Sequence, residues 1–155
     1  MAFHTERIFE VHLSVQDRHK SAEFYQRVLG CEIATHIDRR DITFLWMNGR
    51  GSVMIGLWGP NCPDPPMSRG TSHFAMHLSP EEVEKAPQQL LELGVSPLDF
   101  DGNPTDEAVV LCWMPAVSVY FKDTDGHSLE FISMLQEPPA PDMGVVKLSE
   151  WQRRK

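Results

Sequence analysis

Between residues 8 and 15 the chain alternates, with Phe9, Val11, Leu13 and Val15 apolar and Glu10, His12 and Ser14 polar. Period-two alternation marks a strand with one buried face. Asp17 then stands in a helix N-cap position, and Ala22, Phe24, Tyr25, Val28 and Leu29 recur at helical spacing. Gly30 suits the left-handed residue that ends such a helix. Three strands are predicted next, near 32–38, 42–47 and 52–58, with Asn48-Gly49 as a hairpin signal between the last two. The first unit reads β-α-β-β-β.

Residues 59–70, GPNCPDPPMSRG, fit neither periodicity and read as a linker. Beyond them the pattern restarts. Phe74, Met76 and Leu78 alternate with His73, Ala75 and His77, and Ser79-Pro80-Glu81-Glu82 forms a capping box with proline at the first helical position. Val83, Ala86, Leu90 and Leu91 make the apolar stripe, which Gly94 ends. Pro87 lacks the N–H that a helix interior needs, so a kink or a split is expected there. Strands are predicted near 96–100, 108–113, 116–122 and 127–133, with polar residues 101–107 as an insertion and Asp125-Gly126 as the last turn.

His73 stands 63 positions after Glu10, and Leu93-Gly94 stands 64 after Leu29-Gly30. Two copies at so long a period imply two β-α-β-β-β modules rather than a solenoid. The expected architecture is α+β. It is a single domain over 1–135, with module 1 at about 7–59, a linker at 60–70 and module 2 at about 71–134. A Pro-rich tail follows at 136–155; its last residues, KLSEWQRRK, suit one or two helical turns, and Trp151 is expected to dock on its own subunit or on a partner.

Composition narrows the partners. A chain of 155 residues can bury a real core, and 14 Lys plus Arg against 22 Asp plus Glu give a net charge of −8, which argues against non-specific nucleic-acid binding. No apolar run approaches the roughly 18 residues that span a bilayer, and MAFHTERIFE lacks a secretory pattern, so no membrane partner and a cytoplasmic location are expected. The three cysteines are isolated and odd in number, which supports neither a disulfide framework nor a Cys-rich zinc site. Cys31 and Cys112 read as small strand hydrophobes and Cys62 as a loop thiol. His4, His19, His36 and His127 read as surface or turn residues.

The candidate chemistry lies on the polar faces of four strands. Those faces carry Glu10, His12 and Ser14; Met54, Gly56 and Trp58; His73, Ala75 and His77; and Ser128, Glu130 and Ile132. The opposite faces are almost wholly apolar. If each module packs its apolar face on its helix, the other sheet faces are expected to curl around a shared cavity. A Glu, His, Glu set from separate strands suits a divalent cation of Zn, Mn, Fe, Ni or Co, with positions left open for substrate. The bland reading is a solvated sheet face, yet Glu, His, Ser and Trp occupy it instead of the usual Lys, Thr and Arg.

Three stretches carry a family resemblance: EVHLSVQDRHKSAEFYQRVLGCEI, SHFAMHLSPEEVEKAPQQLLELGV and SVYFKDTDGHSLEFI. Within them, Ser21-x-x-Phe24-Tyr25-x-x-x-Leu29-Gly30 and Phe121-x-Asp123-x-Asp125-Gly126-x-x-x-Glu130 are the most specific. Over residues 7–134 the chain resembles the vicinal oxygen chelate superfamily, which includes glyoxalase I, extradiol dioxygenases, methylmalonyl-CoA epimerase, fosfomycin-resistance transferases and metal-free bleomycin-resistance proteins. The resemblance implies a glyoxalase-like fold and metal ligands on the first and last strands of each module. Glu10 sits where a His or Gln is usual, His73 where a His is usual and Glu130 where a Glu is usual. Gly56 falls where glyoxalase I has a carboxylate that also moves a proton.

The expected function is that of a divalent-metal-dependent lyase, isomerase or dioxygenase acting on a small oxygenated substrate, with metal at Glu10, His73 and Glu130. His12 is an alternative first-strand ligand. His12, His77 and Tyr120 are the proton-transfer candidates, and Trp46, Met54 and Trp58 are expected to line the substrate pocket. The alternative is a metal-free protein that binds a drug or toxin, gripping a planar compound with Trp46, Trp58, Met54 and Tyr120. A homodimer is expected in either case, with modules paired within one chain or exchanged across two.

Overall fold

The computed structural model describes residues 2–154, and the chain divides into two compact units, Met1–Ser72 and His73–Lys155. In the first unit the alternation yields strand β1, Glu10–Ser14, and Asp17 caps helix α1, Arg18–Leu29, by accepting from the backbone N–H groups of His19 and Lys20. Gly30 adopts φ 65° and closes the helix. Strands β2 (Glu32–Ile37), β3 (Ile42–Met47) and β4 (Val53–Trp58) complete a sheet in the order β1-β4-β3-β2, with β1 and β4 parallel. Asn48 and Gly49 both take positive φ, 62° and 88°, at the reversal between β3 and β4.

Leu13, Val15, Leu45, Ile55 and Leu57 are fully buried together with Ala22 and Tyr25 of the helix. Phe9 departs from the expected core face. It precedes β1, is 46% exposed and meets Trp46 edge to face at 6.2 Å, because the strand's alternation constrains nothing ahead of Glu10.

Arg18 ties the start of α1 to the far strands. Its buried guanidinium donates to Asp38 Oδ1 at 2.5 Å, Asp41 Oδ1 at 2.9 Å and Thr43 Oγ1 at 2.9 Å. The second oxygen of Asp41 accepts from the backbone N–H of Asn61 at 3.1 Å, which anchors the segment expected to be a linker. That segment folds onto the first sheet rather than spanning open solvent. Cys62 is buried with Ile42 and Trp58, Met67 packs on them, and Arg69 donates to the Cys62 carbonyl at 2.7 Å.

The second unit repeats the plan with strand β5 (His73–His77), helix α2 (Pro80–Glu92), and strands β6 (Val109–Leu111), β7 (Ala116–Lys122) and β8 (Ser128–Met134). The capping box of Ser79 and Glu82 forms as expected. Pro87 does not split α2. Its ring is buried on the helix's apolar face with Val83, Ala86 and Leu90, and that packing offsets one lost backbone hydrogen bond. The strand expected near 96–100 is reduced to a single bridge residue, Leu98, which exchanges backbone hydrogen bonds with Tyr120. Pro97 has no N–H to extend the ladder.

The tail adds a strand that was not expected, β9 (Val145–Lys147), antiparallel to β6, and then forms the short helix that was, α3 (Leu148–Arg153). The sheet order is β5-β8-β7-β6-β9. Trp151 is 1% exposed, so it docks within its own chain and unit. His127, expected at the surface or in a turn, lies at the turn into β8 but is buried there, its backbone N–H donating to Asp123 Oδ1 at 2.9 Å.

Candidate functional site

In the second unit, parallel pairing of β5 with β8 puts Ala75 opposite Glu130 and His73 opposite Ser128. Antiparallel pairing of β7 with β8 puts Tyr120 opposite Glu130. Glu130 thereby lies between two strands whose same-face side chains reach it. His73 Nε2 is 3.1 Å from Glu130 Oε2, and Ser118 donates its hydroxyl to Oε1. His73 Nδ1 is 3.1 Å from the carbonyl oxygen of Ser128. The Glu130 side chain is 7% exposed, while that of His73 is 48% exposed, so the carboxylate is sunk and the imidazole stands at the rim.

These contacts constrain the proton of His73. A carbonyl only accepts, so Nδ1 carries a hydrogen. Nε2 faces the carboxylate oxygen, a contact satisfied by an N–H on Nε2 or, where its lone pair is bare, by a cation that both atoms ligate. Two acceptors at this distance need a proton or a cation between them, and a divalent ion fits. Ligands about 2.1 Å from one ion and separated by octahedral to tetrahedral angles stand roughly 3.0–3.4 Å apart. A histidine whose other ring N–H is held by a backbone carbonyl is the usual second-shell arrangement of a metal ligand.

Tyr120 completes this group. Burial pushes its phenol up to about 12; a hydrogen bond with Ser118 opposes the shift, and the Glu130 charge adds to it. Its ring flanks His73, with centroids 6.1 Å apart, and meets Phe100 edge to face. Such a phenol keeps its proton at neutral pH and serves as a donor. His77 is exposed and makes no contact with Glu130. It lies near Glu82 at the start of α2, whose carboxyl is held low chiefly by its hydrogen bonds to Ser79, with a smaller contribution from His77.

In the first unit, Glu10, His12, Phe44, Trp46, Met54, Gly56 and Trp58 share one sheet face by register. His12 Nε2 is 3.3 Å from Glu10 Oε1, and the indole N–H of Trp58 donates to His12 Nδ1 at 2.8 Å. Trp46 and Met54 are half-buried. Trp58 is 6% exposed, packed with Ile42 and Cys62 beneath the Arg40 guanidinium, so its indole serves the module rather than an open pocket wall. Among the described residues no three His, Cys, Asp or Glu side chains are gathered as a metal cluster. The pairs formed are Glu10 with His12 and His73 with Glu130.

Ser118 escaped the sequence reading. Period two from Tyr120 places it on the Glu130 face, so the signal was present. The Ser128 carbonyl carried no signal, since every residue has one.

The chain belongs to the Glyoxalase/Bleomycin resistance protein/Dioxygenase superfamily, whose profile matches residues 7–131. It is 30% identical over 121 residues to the metallothiol transferase FosB of Lysinibacillus sphaericus, covering 76% of this chain and 75% of that protein. Among solved structures it is similar to an integron cassette protein from the mobile metagenome of the Halifax Harbour sewage outfall, at 30% identity and TM-score 0.65, covering 84% of this chain and all of that one. A lactoylglutathione lyase from Agrobacterium tumefaciens shares the fold at 23% identity and TM-score 0.63, over 83% of this chain and 93% of that one.

Proposed function

We propose that the chain is a divalent-metal-dependent enzyme acting on a small oxygenated molecule, with His73 and Glu130 as metal ligands and Glu10, by resemblance, as the third. The observation that carries this reading is the His73–Glu130 contact, in which an imidazole nitrogen and a buried carboxylate oxygen face each other at 3.1 Å while the other ring nitrogen is held by a backbone carbonyl. Two carboxylates and one imidazole favour Mn among the candidate ions, because oxygen-rich sets suit harder cations. When bound, such an ion supplies Lewis acidity to the substrate's oxygens.

This chain's own residues set the rest. Glu130, steadied by Ser118, offsets the positive charge, and Tyr120 offers a phenol hydrogen to an oxygen that gains charge. Position 56 carries no carboxylate to move a proton. That favours addition or group transfer over a proton-shuttling lyase or isomerase, and the similarity to FosB, a metallothiol transferase, supports transfer of a thiol. A dioxygenase set of two histidines and one carboxylate fits these residues less well.

The test is metal content. Protein purified without chelator is expected to hold about one equivalent of a transition metal per chain, with Mn²⁺ raising the melting temperature. Glu130→Gln and His73→Ala are expected to abolish both effects. Metal well below one equivalent, with no thermal shift in any variant, would overturn the reading in favour of a metal-free binding protein. In that case Trp46 and Met54, with the half-exposed Phe9, form the gripping surface.

A further inference from the structure

Position 56 has no room for a side chain. A Cβ built on Gly56 comes 2.5 Å from His12 Nδ1 and 3.0 Å from both His12 Cε1 and Phe44 Cε1. Gly56 is not among the positive-φ glycines, so the backbone does not demand it. The imidazole does. Gly56 lies directly opposite His12 in the β1–β4 pair, and the ring lies over it, clamped edge to face by Trp58 at 5.6 Å and Phe44 at 6.1 Å between centroids.

The Trp58 contact also sets the ring's tautomer. An indole nitrogen only donates, so His12 Nδ1 accepts, and the neutral imidazole keeps its hydrogen on Nε2. Glu10 Oε1 lies 3.3 Å from that nitrogen. With one nitrogen occupied by Trp58 and the other protonated, the ring has no lone pair to give a cation.

We propose that His12 is a positioning residue: Gly56 makes room for it, Trp58 fixes its tautomer, and its Nε2–H holds one oxygen of Glu10 so that the other is presented for ligation. The inference rests on the reading of Glu10 as a metal ligand. It turns the missing carboxylate at position 56 and the extra histidine at position 12 into one paired arrangement.

The first measurement uses metal-free protein. Long-range proton–nitrogen spectra are expected to show the Nε2–H tautomer for His12, and a mixture of tautomers in Trp58→Phe; the Nδ1–H tautomer in the parent protein overturns the proposal. The second measurement is Mn²⁺ affinity by calorimetry. His12→Ala and Gly56→Ala are each expected to weaken binding about 10–100-fold, the latter by displacing an unaltered His12. His12→Gln, whose amide N–H can reach the same carboxylate, is expected to recover most of the loss.

Circular dichroism checks that each variant folds. Affinity within twofold of the parent in both alanine variants overturns the proposal, and so does a loss in His12→Ala as complete as that in His73→Ala, which would make His12 a ligand. If the parent protein binds no Mn²⁺, the metal reading fails and the presentation of Glu10 for ligation fails with it. The tautomer, read without metal, tells that outcome apart from a failure of the Trp58–His12 pairing alone.

Discussion

Ser118 donates its hydroxyl to Oε1 of Glu130 from the neighbouring strand, leaving Oε2 to face His73. Both residues are buried, Ser118 completely. Replacing Ser118 by Ala removes a hydrogen bond to a buried carboxylate. The expected cost is about 1.5–3 kcal/mol of stability in metal-free protein, read by urea unfolding. Mn²⁺ affinity is expected to fall at least about tenfold, because the ligand loses the group that orients it.

Tyr120 carries a pH prediction. Its phenol is raised from 10.0 to about 12 by burial, with the Glu130 charge adding to it. Between those values the unfolded chain releases the proton while the folded chain keeps it, so the folded state binds more protons and stability falls as pH rises. The contribution is fully present below pH 10 and is lost on the way to 12. An ultraviolet phenolate titration is expected to show a late transition that Tyr120→Phe removes. Tyr120→Phe should also flatten the decline of melting temperature over that interval.

The cysteines are expected to be inert. All three are buried, and burial pushes the Cys31 thiol up to about 11 and raises that of Cys112 as well. The thiolate is the reactive form. An aromatic disulfide reagent at pH 8 is expected to leave the native protein unmodified over minutes and to titrate three thiols after denaturation.

The C-terminal segment is part of the second unit's core. Glu107 accepts from the Ser149 backbone N–H at 2.9 Å and from its hydroxyl at 3.0 Å, which secures α3. Leu148 and Trp151 are buried beneath it. Trp151→Ala is expected to cost about 3–5 kcal/mol in urea unfolding. Trp151→Phe should cost much less, because the indole N–H has no hydrogen-bond partner among the described residues to lose. Deleting residues 145–155 bares the edge of β6, and self-association on size-exclusion chromatography is the expected result.

Much of this was legible in the chain. Alternation marked β1, β5 and β8 and their polar faces, while Asp17 and the Ser79–Glu82 box marked the helix starts. The turn at Asp125-Gly126 implied the hairpin that sets Tyr120 opposite Glu130. These signals are local, because caps and turns act within a few residues. Where local signals misled, the competing term was packing or a neighbour. Pro87 is tolerated because its ring is buried, and residues 96–100 keep only one bridge because Pro97 cannot donate.

The sequence by itself determined the two β-α-β-β-β modules, the family, and the nomination of Glu10, His73 and Glu130. Only the tertiary structure decided what the ring nitrogens of His12 and His73 face. Trp58 reaches His12 across 46 residues, and Ser128 reaches His73 across 55. Both contacts exist because β1 pairs in parallel with β4 and β5 with β8. Periodicity tells which face a side chain takes; a tautomer depends on the single donor or acceptor that a distant strand brings within about 3 Å. That is why Gly56 looked like a lost function in the chain and is, in the fold, the seat of His12.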